Sequence, residues 1–256
     1  MEIRRIAKKL SIDFVQKFHY SKILPRITKE YLGIFDKENK LSGVITLGWG
    51  TQPLQTIKKI LYKHPNTITT DYIEIGKMCF LPKYNNTKNF GSQSIKLLKR
   101  WIKENTEYKF LYTLADGIMG KCGYVYQASN FHYIGKFKTS VYRDINTGEK
   151  IHPRSAKQLC IENAEYENKK KVFWLTHNFC EYKGIEKING LMFRYIIPLN
   201  KDAKKLLNSY TEYLNNKNPK DNDLYFGVRT EKGKFKSIEM PKFNMDYFNH
   251  NYQKYN

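Results

Sequence analysis

Residues 123–136, "GYVYQASNFHYIGK", bring a tyrosine, a carboxamide and an asparagine close together as Tyr126, Gln127 and Asn130. Such a set is either solvated or lines a pocket where a hydroxyl gives up a proton and amides grip a substrate. Two more residues suited to proton transfer stand far off in sequence: His19 in "FHYSKILPR" and Asp116 in "LYTLADG". A carboxylate orienting an imidazole makes an acid–base pair. With tyrosine oxygens, the same two side chains also begin a metal shell. Spacing in sequence does not separate these; the acid–base reading is preferred, with iron as the metal alternative. Each residue also has a plainer role. The helix dipole favours a histidine cation at a helix end, Tyr126 is one of 20 tyrosines, and Asn130 is a residue type that ends helices. Glu74 is either the buried partner of Lys77 or, more sharply, the acceptor of a donor's amino group.

The elements that must position these groups follow from periodicity. Ser11 is read as the cap of a short helix, "IDFVQKF", with Asp13 in its first turn and His19 and Tyr20 at its end. "EYLGIF" and "LSGVITLGW" enclose the turn "DKENK" as a hairpin, and Pro53 and Pro65 bracket a short helix. In "DYIEIGKMCFLP", Tyr72, Glu74 and Gly76 alternate with Ile73, Ile75 and Lys77, which is strand spacing closed by Pro82. Ile95, Leu98 and Ile102 mark the clearest helix, widened by Leu97 and Trp101. Lys96, Lys99, Arg100 and Lys103 fill its other faces, a solvated surface that doubles as a phosphate contact.

"KFLYTLA" is a buried strand ending at Asp116, and ligands in such sheets gather outside the carboxyl ends of strands. "GYVYQASN" is a helix leading into the strand "FHYIGKF". "KTSVYRD", "KKVFWLTHNF" and "GLMFRYIIPL" are read as further strands, the last after a tight turn at Asn189–Gly190. "HPRSAKQL" is a short helix with Pro153 near its start. The expected fold class is α/β, a mixed central sheet flanked by helices. Residues 1–208 are expected to form the catalytic domain, and 209–256 a basic, tyrosine-rich extension, partly flexible. Within the extension "LNNKNPKDND" is expected as a loop and the last dozen residues as mobile.

The chain of 256 residues is 41% hydrophobic and 15% aromatic, enough for a real core. Its 45 Lys and Arg against 24 Asp and Glu give a net charge of +21, a field that attracts polyanions and makes nucleic acid the expected partner. A Lys- and Asn-rich genomic bias is the plainer source of that charge. No run approaches the ~18 apolar residues of a membrane helix, and "MEIRRIAKKLSIDF" is followed by no apolar run of signal-peptide length. Cys79, Cys122, Cys160 and Cys180 form no CxxC pair, against a zinc ribbon or a disulfide framework. A cytoplasmic location with reduced thiols is expected.

Two resemblances fall on these residues. "FLPKY", a loop and an amphipathic helix are similar to the central strand and cofactor-binding helix of the GNAT acyltransferase fold. In many GNAT enzymes the tyrosine matching Tyr126 protonates a departing thiolate. Their cofactor loop carries two or more glycines; "YNNTKNFGSQS" has only Gly91, a poor cradle for a pyrophosphate. More narrowly, "FHYSKILPR", "EIGKMCF", "FGSQS", "YTLADGIMGKCGYVYQASNFHYIGK" and "FRYIIPLNK" resemble the phage Mom family of DNA-modification proteins, over about residues 14 to 201. That resemblance implies a transferase that adds a carbamoylmethyl group to N6 of adenine in double-stranded DNA and so blocks restriction enzymes.

Carried over residue by residue, the family implies His19, Tyr20, Asp116 and Tyr126 as catalytic. Glu74, Lys77, Ser92 and Asn130 carry over as the substrate- or donor-binding set, to which the reading of residues 123–136 adds Gln127. Apart from the resemblance, the basic side chains Lys96, Lys99, Arg100, Lys103 and Lys121 are expected as nucleic-acid contacts, and His19 with Asp116 as the ligands if a metal is present. Lys77 stands where arginine is expected, so a forked contact becomes a point charge. Lys121 stands where a histidine is expected. An acyl donor is needed, and glycyl-tRNA suits the charge and the poor cradle better than acetyl-CoA. The competing readings are a conventional GNAT N-acetyltransferase acting on tRNA, protein or a small amine, and a DNA-binding protein without catalysis.

Overall fold

The computed structural model describes residues 1–85, 87–153, 156–231 and 234–246. The chain divides into two compact units that interleave in sequence. The first comprises Met1–Ala115, Gly123–Gly135 and Phe193–Pro219, and the second Asp116–Cys122, Lys136–Met192 and Lys220–Asn256.

In the first unit, β1 (Glu2–Arg5), β2 (Ile27–Phe35), β3 (Leu41–Trp49) and β4 (Tyr72–Phe80) pair antiparallel in sequence order, and β5 (Phe110–Asp116) joins β4 in parallel. Helix α1 (Lys8–Phe18) buries Phe14 and Val15 against Val44 and Cys79. It begins before the expected cap: Ser11 lies inside the helix, fully buried, and Ala7 is the residue at its start. Helix α2 (Pro53–Ile60) opens on Pro53, whose fixed φ suits a first helical position. A four-residue turn, α3 (Pro82–Asn85), precedes α4 (Phe90–Asn105), which buries Ile95, Leu98 and Ile102 as their spacing requires, with Phe90 and Trp101.

A bulge in β4 positions the site. Leu47 pairs with Ile75 and Thr46 with Lys77, so Gly76 has no partner on β3. That extra residue reverses the alternation: Lys77 shares the Thr46 and Glu74 face instead of the Ile75 face expected of it. Gly76 is required because a Cβ there would stand 2.9 Å from Pro25 Cγ, where the chain crosses the strand. Pairing of β4 with β5 runs only from Tyr72–Phe110 to Ile75–Thr113. Beyond that point β4 continues paired with β3.

The unit is completed by α5 (Tyr124–Gln127), the start of β6 (His132–Asp144), the end of β8 (Ile185–Pro198), α8 (Lys201–Asn208) and α9 (Thr211–Asn215). Tyr72, Phe110, Tyr112, Ile196, Leu207 and Tyr210 are among the residues of its core beside α2 and α8.

The second unit holds the remainder of β6 and β8, with β7 (Lys150–Ile151), α6 (Lys157–Tyr166), α7 (His177–Lys183), β9 (Gly227–Glu231) and β10 (Lys234–Ser237). Strand order is β1-β2-β3-β4-β5-β8-β6-β7, with β9 on β8 and β10 on β9, the mixed sheet flanked by helices that was expected. Tyr142, Ile151, Leu159, Leu175, Phe179 and Ile185 form a core between α6 and α7.

Three expectations fail here. "FHYIGKF" and "KTSVYRD" are one strand, because exposed Lys136 and Lys138 occupy its solvent face and do not interrupt it. "KKVFWLTHNF" is no strand: Phe173 and Trp174 are exposed, Thr176 caps α7, and Phe179 and Cys180 are the apolar residues that helix buries. Asn189–Gly190 makes no turn, since β8 runs through it and Asn189 pairs with Gly227. Residues 216–220 are irregular, as expected, but α9, β9 and β10 give structure to the extension. Expected mobility of the last dozen residues and the start of "HPRSAKQL" fall largely or partly outside the described residues.

Candidate active site

In the first unit one carboxyl stands apart. Glu74 sits on β4 two residues before the bulge, opposite Tyr112 on β5. Its Oε2 accepts a hydrogen bond from the Gly50 N–H at 3.2 Å, and among the described residues it joins no ion pair. Burial pushes its pKa up to about 7, the Gly50 N–H opposing. Some of its surface still reaches solvent, so the group is desolvated yet accessible. Tyrosines surround it. Tyr72, Tyr112 and Tyr126 are held above the ordinary phenol value, first by burial, with the Glu74 charge adding to each. Arg194 of β8 bonds to Tyr112 and pulls the other way.

Tyr126 is buried in α5, its ring packed on Phe131 and Tyr195 with centroids 5.5 and 5.6 Å away. The Thr113 hydroxyl lies near enough to favour the ionised form slightly but makes no well-aligned hydrogen bond, so burial governs. Gln127 is a brace: its Nε2 donates to the Tyr195 hydroxyl and to the Pro219 carbonyl, both at 3.0 Å. Gly91 serves packing, since a Cβ there would meet Val125 Cγ2 at 2.7 Å. It lets α4 approach the helix that carries Tyr126. Ser92 bonds to the Asn89 carbonyl at 3.1 Å. Asn130 is exposed with φ 62°, the left-handed residue that ends the α5 turn, which is its plainer role.

His19 closes α1, its N–H donating to Val15 O. Its ring stacks on Tyr20 with centroids 4.3 Å apart, and Nδ1 lies 2.9 Å from Ser21 N and 3.0 Å from Ser21 O. Nδ1 accepting from that N–H puts the ring proton on Nε2; Nδ1–H donating to the carbonyl leaves Nε2 a base. Ser21 Oγ also accepts from Lys77 Nζ at 2.8 Å. The bulge therefore joins Lys77 to the His19 segment, and Glu74 and Lys77 are not the pair that their spacing suggested.

Asp116 lies in the second unit. Its Oδ2 is 2.8 Å from Lys150 Nζ, both side chains largely buried, and its Oδ1 accepts the Ile118 N–H at 3.1 Å. Both oxygens are engaged by a structural ion pair and a turn, not by an imidazole. Among the described residues no three His, Cys, Asp or Glu side chains gather as a metal site would require. Of the expected nucleic-acid contacts, Lys96, Arg100, Lys103 and Lys121 are exposed. Lys99 instead reaches the Ser129 carbonyl at 3.3 Å, and burial, then Lys103 and Lys96, hold its pKa down. All four cysteines are thiols outside any disulfide, and no described helix is long and apolar enough to cross a membrane.

Sequence reasoning missed Tyr112, Arg194, Ser21 and Lys150. Arg194 carried a signal, a lone charge inside the apolar run "FRYIIPL". Tyr112 looked like core, and only the parallel register places it opposite Glu74.

Residues 1–220 match the profile of the Mom protein family. The chain belongs to that family. Among curated proteins the Mom relative named methylcarbamoylase, from Escherichia phage Mu, is 27% identical over 212 residues, covering 82% of this chain and 80% of the relative. Similar solved structures include a GNAT superfamily phosphinothricin acetyltransferase from Sinorhizobium meliloti in complex with AcCoA. It has a TM-score of 0.42 and 10% identity, over 77% of this chain and 88% of the other. A GNAT family acetyltransferase from Elizabethkingia anophelis with acetyl-CoA bound gives 0.39 and 16%, over 77% and 96%. With superpositions this loose, the Mom chain's architecture rests on its own strand order.

Proposed function

We propose that this protein is a transferase that hypermodifies adenine at N6 in double-stranded DNA, adding a carbamoylmethyl-type group that protects against restriction. The observation that carries the reading is the desolvated Glu74, with no counter-ion among the described residues, set among Tyr72, Tyr112 and Tyr126 in a Mom family chain with a net charge of +21. Adenine N6 is a weak nucleophile hidden in the duplex, so the base is flipped out before reaction. Glu74, with a pKa near 7, takes the proton the amine loses as it attacks. Tyr126 stays protonated at neutral pH and gives its proton to the leaving oxygen or steadies the oxyanion. His19, held by Ser21, and Tyr20 flank the base. Asp116 fixes the fold of its own unit.

Glycyl-tRNA is the proposed donor. Attack of N6 on the glycyl ester forms the amide and releases the tRNA hydroxyl. The freed glycyl amine then attacks C6, the C6–N6 bond breaks, and the former N6 leaves as the amide nitrogen of a carbamoylmethyl group. Atoms balance with no further reactant. The reaction would take place in the cytoplasm of the host cell.

The test is nucleoside mass spectrometry of plasmid DNA from cells expressing the protein, beside Tyr126→Phe and Glu74→Gln. A carbamoylmethyl-adenine in wild type, lost in both variants, supports the reading. Unmodified DNA in all three overturns it and favours an ordinary acetyltransferase. Full activity with acetyl-CoA and no charged tRNA would sink the glycyl donor alone.

A further inference from the structure

Phe173 and Trp174 are adjacent in the second unit, 69% and 62% exposed. Lys169, Lys170 and Lys171 precede them, all exposed, with Lys169 Nζ 3.5 Å from Glu167 Oε2 and no acidic residue from Asn168 to Cys180. Lys171 Nζ lies 4.7 Å from the centre of the Phe173 ring. The segment is pinned at both ends. The Lys169 N–H donates to Ala164 O at 2.8 Å, the Leu175 N–H to the Tyr142 hydroxyl at 3.1 Å, and the Thr176 N–H to Asn163 Oδ1 at 2.7 Å. Leu175 is buried, so the two rings before it are presented outward by an anchored backbone. Leaving two large rings in water forfeits hydrophobic free energy that a partner would recover.

Flat apolar faces beside a run of ammonium groups complement the bases and phosphates of a single strand. We propose that Lys169–Trp174 is a stacking platform for unpaired nucleotides, with Phe173 and Trp174 against bases and the lysines against flanking phosphates. Binding here needs no chemistry, so it stands apart from the reaction proposed above. The occupant is the DNA strand opened around a flipped adenine, whose unpaired neighbours the proposed reaction exposes.

Trp174 supplies its own reporter, since Trp101 is buried and Trp49 is partly buried. The full chain is titrated with single-stranded DNA and RNA and a DNA duplex, each about 12 nucleotides long, reading tryptophan emission and oligonucleotide anisotropy. Single strands are expected to quench the emission, and Trp174→Phe to lose the quench while keeping affinity. Phe173→Ala with Trp174→Ala should weaken single-strand binding about tenfold or more, with an unchanged melting temperature. Alanine at Lys169, Lys170 and Lys171 should lower the log–log salt slope by about 2. Single-stranded DNA is expected to bind at least as tightly as RNA of the same length, and a marked preference for RNA overturns the DNA-strand assignment. Wild-type single-strand affinity in the double alanine variant, or an equal loss of duplex affinity in it, overturns the platform. Loss of base modification with binding intact would fault the proposed reaction and leave the platform standing.

Discussion

Glu74 and Asp116 are both carboxylates carried on strands of the sheet and drawn away from water, yet the protein sets them oppositely. Asp116 has a buried ammonium at 2.8 Å and a backbone N–H on its other oxygen, so its charge is matched. Glu74 has one N–H, no counter-ion among the described residues, and three tyrosines that its charge disfavours ionising. Burial with a built-in partner makes a fixed structural charge. Burial without one holds a proton near neutral pH, which is what a general base requires. Position at a strand's carboxyl end drew attention to Asp116, whereas the difference in partners is what favours Glu74 as the base in the proposed reaction.

The sharpest break of this contrast is Glu74→Gln. It should cut transfer by about 10² to 10⁴ in a nucleoside product assay. Its melting temperature at neutral pH should not fall, because a poorly solvated charge is removed. Equal activity would place the base elsewhere. Next comes Lys150→Met, which leaves Asp116 buried and unpaired. Unfolding should become easier by about 3–5 kcal/mol, read by denaturant melts, with Asp116→Asn in the same chain restoring part of the loss. A small change there would mean that the ion pair is dispensable.

Tyr126→Phe keeps the ring packing on Phe131 and Tyr195 and removes one hydroxyl. Transfer should fall about 10²-fold while stability holds, and a stability loss without a rate loss would make the tyrosine structural. The smallest expected effect concerns pH. The folded-state pKa of Glu74, about 7, lies above its ordinary value of 4.5, so between these the folded chain holds a proton that the unfolded chain has released. Its contribution is greatest below about pH 4.5 and is lost as pH rises through 7. Melting curves of wild type and Glu74→Gln should therefore diverge across that window, with wild type relatively weaker above it. Parallel curves would show that the carboxyl is not desolvated.

Much of this was legible in the chain. Ile95, Leu98 and Ile102 announced α4, and "EYLGIF" and "LSGVITLGW" announced the β2–β3 hairpin, because helix and strand periods are local properties. Legibility stopped where residues meet through register. Asn189–Gly190 has turn chemistry, yet it lies in β8 because Gly227, far along the chain, pairs with Asn189. Phe173 and Trp174 look like core and stand in solvent, because the apolar positions actually buried, Leu175 and Phe179, are spaced for a helix entry.

By itself the sequence determined the polyanion-seeking charge, the order of most elements and the residue types available for proton transfer. These depend on composition and on neighbours a few positions away. Tertiary structure alone decided which of those residues lie together. One extra residue at Gly76 turned Lys77 from Ile75's face to Glu74's, and toward Ser21. The parallel register set Tyr112 beside Glu74, and folding gave Lys150 to Asp116 and, among the described residues, no cation to Glu74. A pKa is fixed by which charges and how much water lie within a few ångströms, and that neighbourhood exists only in the folded chain.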